Sequence, residues 1–474
     1  MSKITEYVSN DNSLSTTCNI DKLTLLYNSS EPGKGITIGQ DSIVSIQVTE
    51  SLNTKLPIMK IKIMDGGLWY NTYLFEIGKN IRVTITPKKM YEDQVVQPYI
   101  NCDYLIEGIE YVTDLTKKEY VYILTCVCGT EKYFNSICVW PKVQTISLTS
   151  DYSKTSKEVM QEIVNEAGLK FVSKDSTTPT DKMLWLCPNY TYKGFINKIL
   201  NHSWYGVENC PIAYIDRDKN FILDTLNNLC KSDVKNRFKL YSLYSKELEK
   251  ANIDKTKPSK YLTYSDLVFY NAGFIQNKNG YKIEAGQYNP FGDNEIETEI
   301  NKKQLLDDTE ENRYRKAEFS SNFLRLGKVS NKSTASRNNI SSLTYTGMYF
   351  KDLHENYSIA PLHHTNMRNA FFTNYAMFTY DTSKQRIDGN QNSEYYPRLG
   401  DKIYIDASDE YNNNSIKSGN YLISGLTHVW VPNHAYTIAI QAVNDGVNSA
   451  GALSQVAEFE NEKTKSELDD KAKR

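Results

Sequence analysis

Three of the six histidines, His354, His363 and His364, stand close together with Glu355, and this is the only His-rich cluster in the chain. Imidazole and carboxylate together suit zinc or iron. The spacing matches no helical His-Glu-x-x-His pattern, however, and the stretch is polar and leads into an alternating strand. It reads as loop, and no metal or cofactor is expected. Cys126 and Cys128 lie two apart in a strand-like stretch and so share a face, which could hold a thiolate-bound metal. They read instead as small apolar strand residues. The others, Cys18, Cys102, Cys138, Cys187, Cys210 and Cys230, are scattered and make no Cys-x-x-Cys pair. Gly33-Lys34-Gly35 with Gly39 lacks the spacing of a phosphate loop and opens strands rather than a helix, so it reads as a turn. The chain carries no His-Glu-x-x-His, no Gly-x-Ser-x-Gly and no carboxylate pair that stands out for acid–base work. These absences predict a protein that is not an enzyme.

Composition narrows the partners. Fifty-five Lys and Arg against 57 Asp and Glu leave a formal net charge of −2, which offers no global attraction to a polyanion. Basic residues are not interleaved with aromatics in one stripe, so sequence-specific nucleic-acid binding is not expected. Tyrosine is abundant, at 35 residues against 16 Phe, and its apolar ring with a polar tip suits strands and interfaces. No apolar run is long enough to cross a bilayer, and the first residues lack the basic-then-apolar order of a secretory signal. The expectation is folding in a cytoplasm without membrane insertion.

Periodicity supplies the elements. From Ile36 to about Val127 apolar residues alternate with polar ones: Val44, Ile46, Val48; Met59, Ile61, Ile63; Ile81, Val83, Ile85; Tyr104, Ile106; Val121, Ile123, Val127. Such alternation means antiparallel strands with one buried face. Turn residues fall at Pro32-Gly33, Asp65-Gly66-Gly67 and Gly78-Lys79-Asn80. Thr155 and Glu158 then form a capping box ahead of Val159, Met160, Ile163, Val164 and Ala167, with Gly168 as the stop. A second helix starting near Thr191 buries Phe195, Ile196, Ile199 and Leu200, and Ile212–Ile215 with Phe221–Leu223 read as a hairpin. Pattern is weak over 227–345 and returns from Ala370 to Val443.

The alternating regions resemble each other. Residues 104–112 read YLIEGIEYV and 421–429 read YLISGLTHV. Each is preceded by a glycine turn that opens a strand, at Gly78 and Gly400, and contains a second glycine, Gly108 and Gly425. Each is followed by an alternating strand that begins at Tyr120 or Tyr436 and ends before Gly129 or Gly446. Collinear agreement over three strands predicts an internal duplication whose defining residues are Gly78, Tyr104, Gly108, Tyr120, Gly400, Tyr421, Gly425 and Tyr436. The expected fold is α+β and mainly β. It comprises a first antiparallel β-barrel domain with an N-terminal extension (1–145), an inserted α/β domain (146–228), a less regular inserted or collar domain (229–345), a second barrel (346–446) and a charged tail (447–474).

Residues 399–405 (LGDKIYI), 418–430 (SGNYLISGLTHVW) and 435–443 (AYTIAIQAV) resemble the closing barrel strands of phage tail and baseplate hub proteins, and of the hub part of type VI secretion spike proteins. Thr155 to Phe171, followed by Pro188 to Trp204, is similar to the α/β domain of that family. The resemblance is clear at 150–226 and 399–446, fair at 36–130 and absent at 227–345. It implies a structural homotrimer in a virion tail or contractile injection system, made in the host cytoplasm. Its duplicated barrels would form a pseudo-hexameric ring adapting a hexameric tail tube to a three-fold central spike. The implied partners are the tube protein, the spike protein and other baseplate or tape-measure proteins. Two other readings stay open from the sequence: a cell-wall-degrading enzyme with its site in 227–345, and a glycan-binding adhesin.

Overall fold

The computed structural model describes residues 20–27, 35–65, 75–87, 99–114, 119–130, 134–141, 154–206, 209–239, 241–242, 263–271, 282–288, 339–345, single positions between 354 and 368, 374–381, 396–406, 419–431 and 436–444. Cys18, Pro32-Gly33, Gly66-Gly67, Glu355, His363, Gly446 and the tail lie outside the described residues.

The first alternating region folds into β1 (Ile20–Tyr27), β2 (Ile36–Ile38), β3 (Ile43–Ser51), β4 (Ile58–Asp65), β5 (Asn80–Pro87), β6 (Ile100–Asp114) and β7 (Glu119–Cys128). Burial follows the alternation in β4 and β5, where Met59, Ile61, Ile63, Ile81, Val83 and Ile85 are inside. Two strands depart from it. In β3 a bulge between Ile43 and Ser45 shifts the parity, so Ile43 rather than Val44 is buried with Ile46 and Val48. In β7 both faces are apolar, and the register opposite Ile61 and Met59 turns Leu124 and Cys126 inward with Tyr122 and Cys128, leaving Val121, Ile123 and Val127 on the other face.

Beyond this region stand α1 (Ser156–Glu166), β8 (Lys170–Ser173), α2 (Tyr192–His202), β9 (Pro211–Ile215), β10 (Asn220–Thr225) and α3 (Leu226–Lys231). Thr155 caps α1 with the full capping box, and the Thr191 side chain caps α2. The buried stripes of α1 and α2 cover a three-stranded sheet in which β10 is central, antiparallel to β9 and parallel to β8. The remaining strands are β11 (Asn236–Lys239), β12 (Tyr241–Ser242), β13 (Thr263–Asn271), β14 (Lys282–Tyr288), β15 (Asn339–Tyr345), β16 (Asn374–Asp381), β17 (Lys402–Asp406), β18 (Gly419–Trp430) and β19 (Thr437–Asn444).

The described strands of both alternating regions belong to one 14-stranded sheet. Its main path runs β12-β13-β16-β19-β18-β3-β4-β7-β6-β5-β1-β2, with β17 beside β18 and β11 beside β17. The architecture is mainly β and largely antiparallel. Within the sheet, the order β3-β4-β7-β6-β5 recurs as β13-β16-β19-β18-β17, the last strand lying off the main path. The first series comes from one stretch of chain, whereas in the second β13 is drawn from the region whose sequence pattern is weak, as is β11 beside β17.

The registers recur as well. Ile81 faces Tyr104 as Ile403 faces Tyr421. The β6–β7 ladder slips between Ile106 and Gly108, and the β18–β19 ladder slips between Ile423 and Gly425. At the strand-opening turns, Gly78 N–H donates to Ile106 O at 2.9 Å and Ile106 N–H donates to Lys79 O at 3.0 Å. Gly400 and Ile423 repeat the pair with Asp401, at 2.9 and 3.0 Å. Both glycines have positive φ, 86° and 78°, a region that costs an L-residue about 1–2 kcal/mol. A Cβ at Gly78 would meet nothing within 4 Å, whereas one at Gly400 would lie 3.1 Å from Tyr214 Oη and 3.2 Å from Leu229 Cδ2. Gly78→Ala should therefore cost about 1–2 kcal/mol in urea unfolding, and Gly400→Ala distinctly more.

Candidate functional site

Each described histidine of the His-rich stretch is held by a backbone carbonyl of the α/β unit. His354 Nε2 lies 2.7 Å from His202 O, and His364 Nε2 lies 2.7 Å from Ser203 O. A carbonyl oxygen only accepts, so each Nε2 carries its proton and donates. The two acceptors lie at the C-terminal end of α2, where carbonyl groups lack intrahelical partners. His202 Nδ1 donates in turn to Tyr357 O at 3.0 Å, and the two rings stack with centroids 4.0 Å apart. Burial lowers the pKa of His354 and takes that of His202 down to about 4, so both rings are neutral at pH 7. Arg368 completes the contact through Asn201 Oδ1 and Pro211 O. The histidines thus strap the chain around 354–368 onto the α/β unit, and among the described residues no group of three or more ligand-type side chains could hold a metal.

Cys126 and Cys128 do share the buried face, and Cys128 Sγ sits 3.8 Å from Cys102 Sγ. Burial pushes the Cys126 thiol up to about 12, in keeping with a packing role. Of the repeat-defining residues, Tyr104 and Tyr421 are buried at matching positions of β6 and β18, and Gly108 and Gly425 sit at the matching bulges. The backbone of Tyr120 pairs with Asp65 and Thr113, and Tyr436 is buried.

Tyr436 leads to residues that the pattern reading passed over. β3 and β18 pair antiparallel from Gly425↔Ser51 to Trp430↔Ile46, and this seam joins the two halves of the sheet. Glu50 and His428 occupy inward positions on either side of it, 3% exposed each. From the turn between β9 and β10, Arg217 enters the same space, 7% exposed. Asp216 shapes that turn by accepting from the backbone N–H groups of Asp218 and Asn220. Arg217 donates its backbone N–H to Glu50 Oε2 at 2.8 Å and its Nη1 to Glu50 Oε1 at 3.2 Å. His428 Nε2 lies 2.9 Å from Glu50 Oε1, and His428 Nδ1 lies 2.6 Å from Tyr436 Oη. Arg217 Nη1 lies equally 2.9 Å from His428 Nε2, so that nitrogen meets a donor and the carboxylate acceptor together, while Nδ1 shares a hydrogen bond with the Tyr436 hydroxyl. Tyr436 stacks on Tyr99, whose hydroxyl meets that of Tyr396.

Burial by itself raises the Glu50 carboxyl pKa, but the Arg217 charge and the His428 hydrogen bond reverse this and lower it to about 2. Burial lowers His428, against the pull of Glu50, so the ring is neutral. The cluster is therefore one buried ion pair with a neutral imidazole and a phenol completing its hydrogen bonds. It joins three parts of the fold: β3, β18 with the residue ahead of β19, and the β9–β10 turn.

No protein-family model and no curated protein matches the sequence. Among solved structures, the 43 kDa tail protein of prophage MuSo2 from Shewanella oneidensis superposes with a TM-score of 0.50 at 10% identity, covering 90% of this chain and 97% of that one. The chain has the fold of a phage tail protein. A tail protein from Neisseria meningitidis MC58 aligns over 90% of this chain and 97% of its own, with a TM-score of 0.49 at 8% identity. The E. coli c3393 protein, a type VI secretion component, aligns over 85% and 73% with a TM-score of 0.35 at 9% identity. Among the described residues no helix is long and apolar enough to cross a membrane.

Three outcomes follow from these contacts. Breaking one side of a buried pair leaves the other charge uncompensated, so Arg217→Met should destabilise the protein by about 3–5 kcal/mol in urea unfolding, and adding Glu50→Leu should recover much of it. Acid should weaken the seam in two stages. His428 has a folded pKa below its unfolded value near 6.5, so its contribution is complete above that pH and falls as pH drops below it. Glu50 is lowered from 4.5 to about 2, so its contribution is lost between those values. His202 and His354, also lowered by burial, act in the same upper window, so His428→Gln should shrink the first stage of the stability profile and leave the second. At the strap, His354→Ala should cost about 1–3 kcal/mol by leaving the His202 carbonyl unpaired, while a chelator should leave the melting temperature unchanged.

Proposed function

We propose that this protein is a structural tail hub, an adaptor between tail tube and spike that works through symmetric interfaces rather than catalysis. The observation that carries this reading is the recurrence of one strand order and one set of registers twice within a single sheet. A chain holding two like modules, assembled as a trimer, presents six of them, and so can meet a six-fold partner on one side and a three-fold partner on the other. The fold shared with a prophage tail protein supports the same conclusion.

In this reading the first and second alternating regions are copies of one barrel-derived module, the α/β unit and the 229–345 region form the three-fold collar, and a separate chain supplies the spike. The partners are two further copies of the chain, the tube protein, the spike protein and other baseplate or tape-measure proteins. The site of action is the virion tail. The hub has no need of a cofactor, a metal or a membrane-inserted segment.

Mass photometry of the purified chain, alone and with its tube protein, tests the reading. The expected result is a trimer that caps tube assemblies. A monomer that persists at high concentration and forms no ring with tube protein would overturn it.

A further inference from the structure

The seam inside the chain shows where a seam between chains should form. β18 pairs with β19 along one side; along the other, β17 takes Gly419–Leu422 and β3 takes Gly425–Trp430. β6 is its counterpart. It has β7 along one side, and along the other β5 takes Ile100–Leu105. Among the described residues, the rest of that side, Gly108–Asp114, has no neighbouring strand. At the far end of the run, β13 stands to β16 as β3 stands to β4, and on its open side β12 pairs only with Thr263 and Tyr264. The open edges of β6 and β13 are thus the two halves of the contact that β18 and β3 make within the chain. In one chain they lie at opposite ends of the path β13-β16-β19-β18-β3-β4-β7-β6 and do not pair.

We infer that Gly108–Asp114 of β6 pairs antiparallel with the C-terminal half of β13 in a second copy of the chain. The inference rests on the trimeric reading above and specifies its interface. The ladders fix the register. Thr49 and Tyr270 occupy equivalent positions, because each pairs with an equivalent residue, Ile58 or Tyr375, itself opposite Val127 or Val443. Leu426↔Glu50, Thr427↔Thr49 and His428↔Val48 then translate into Ile109 opposite Asn271, Glu110 opposite Tyr270 and Tyr111 opposite Phe269 of the second copy.

Exposure agrees with this placement. Tyr111 is 56% exposed in the single chain, while His428, at the matching position, is 3% exposed. A large aromatic ring left in water beside an unpaired strand edge is the kind of surface that a neighbouring strand covers. The two seams differ in chemistry. The positions of Glu50 and His428 are held by Asn271 and Tyr111, so the seam between chains lacks the ionisable pair that holds the seam within the chain.

A cysteine pair tests the register. Thr427 and Thr49 bring their hydroxyl oxygens to 3.4 Å across the internal seam, so Glu110→Cys with Tyr270→Cys in the full chain should oxidise to a disulfide between copies. On a denaturing gel the expected product is a covalent trimer that reductant returns to monomer, with neither single variant giving it. Mass photometry before oxidation separates the possible failures. Parent protein and variant both trimeric, but with no cross-link, would overturn this seam and leave the ring standing; a monomeric parent would overturn the ring and the seam together. Tyr111→Asp provides a second readout at a position exposed in the single chain. It should weaken trimerisation by about tenfold or more while leaving the melting curve of the monomer in place. Unchanged trimer affinity would overturn the inference.

Discussion

A carboxylate removed from water must find a cation and enough hydrogen bonds, or it will not stay charged. Glu50 meets that condition only where β3, β18 and the β9–β10 turn come together, because Arg217 and His428 reach it from separate parts of the chain. The condition couples three parts that apolar packing would leave freer to slide. Apolar contacts tolerate small displacements, whereas a buried ion pair loses most of its attraction when its geometry opens. Continuity of the 14-stranded sheet depends on the β3–β18 seam, and the seam has its polar anchor at this cluster.

The two halves of the sheet show which features a strand module requires and which it can vary. Strand order, the bulge one residue before each glycine and the hydrogen bonds of the strand-opening turns recur, because they set how the strands bend and twist. Side chains at the seams do not recur. His428 is buried beside Arg217, while Tyr111 stands in solvent. Like backbones with unlike edges suit a chain that makes one contact internally and needs a related contact elsewhere.

The histidine cluster makes a similar point about chemistry. Imidazoles near a carboxylate in sequence suggest a metal, but His354 and His364 instead donate to the carbonyl end of α2. Their task is to anchor the chain that runs from the weakly patterned middle toward β16. That anchoring holds the described positions between 354 and 368 to the α/β unit without any apolar periodicity.

The sequence by itself determined the local elements. Alternation located β4, β5 and β6, the Thr155–Glu158 box located α1, and the paired glycines located equivalent turns, because strand parity, capping and positive φ depend on near neighbours. It also contained an unread clue: Glu50 and His428 continue the inward parity of Ile46 and Val48, and of Leu426 and Trp430. Only the tertiary structure decided that the strands of both regions share one sheet, that β13 from the weakly patterned region takes the place corresponding to β3, and that Arg217 from a hairpin turn neutralises Glu50. These facts join residues far apart in the chain, 167 positions in the Glu50–Arg217 bond and 378 in the Glu50–His428 contact. No short-range pattern encodes such pairings, since their energy exists only once the surrounding core has excluded water.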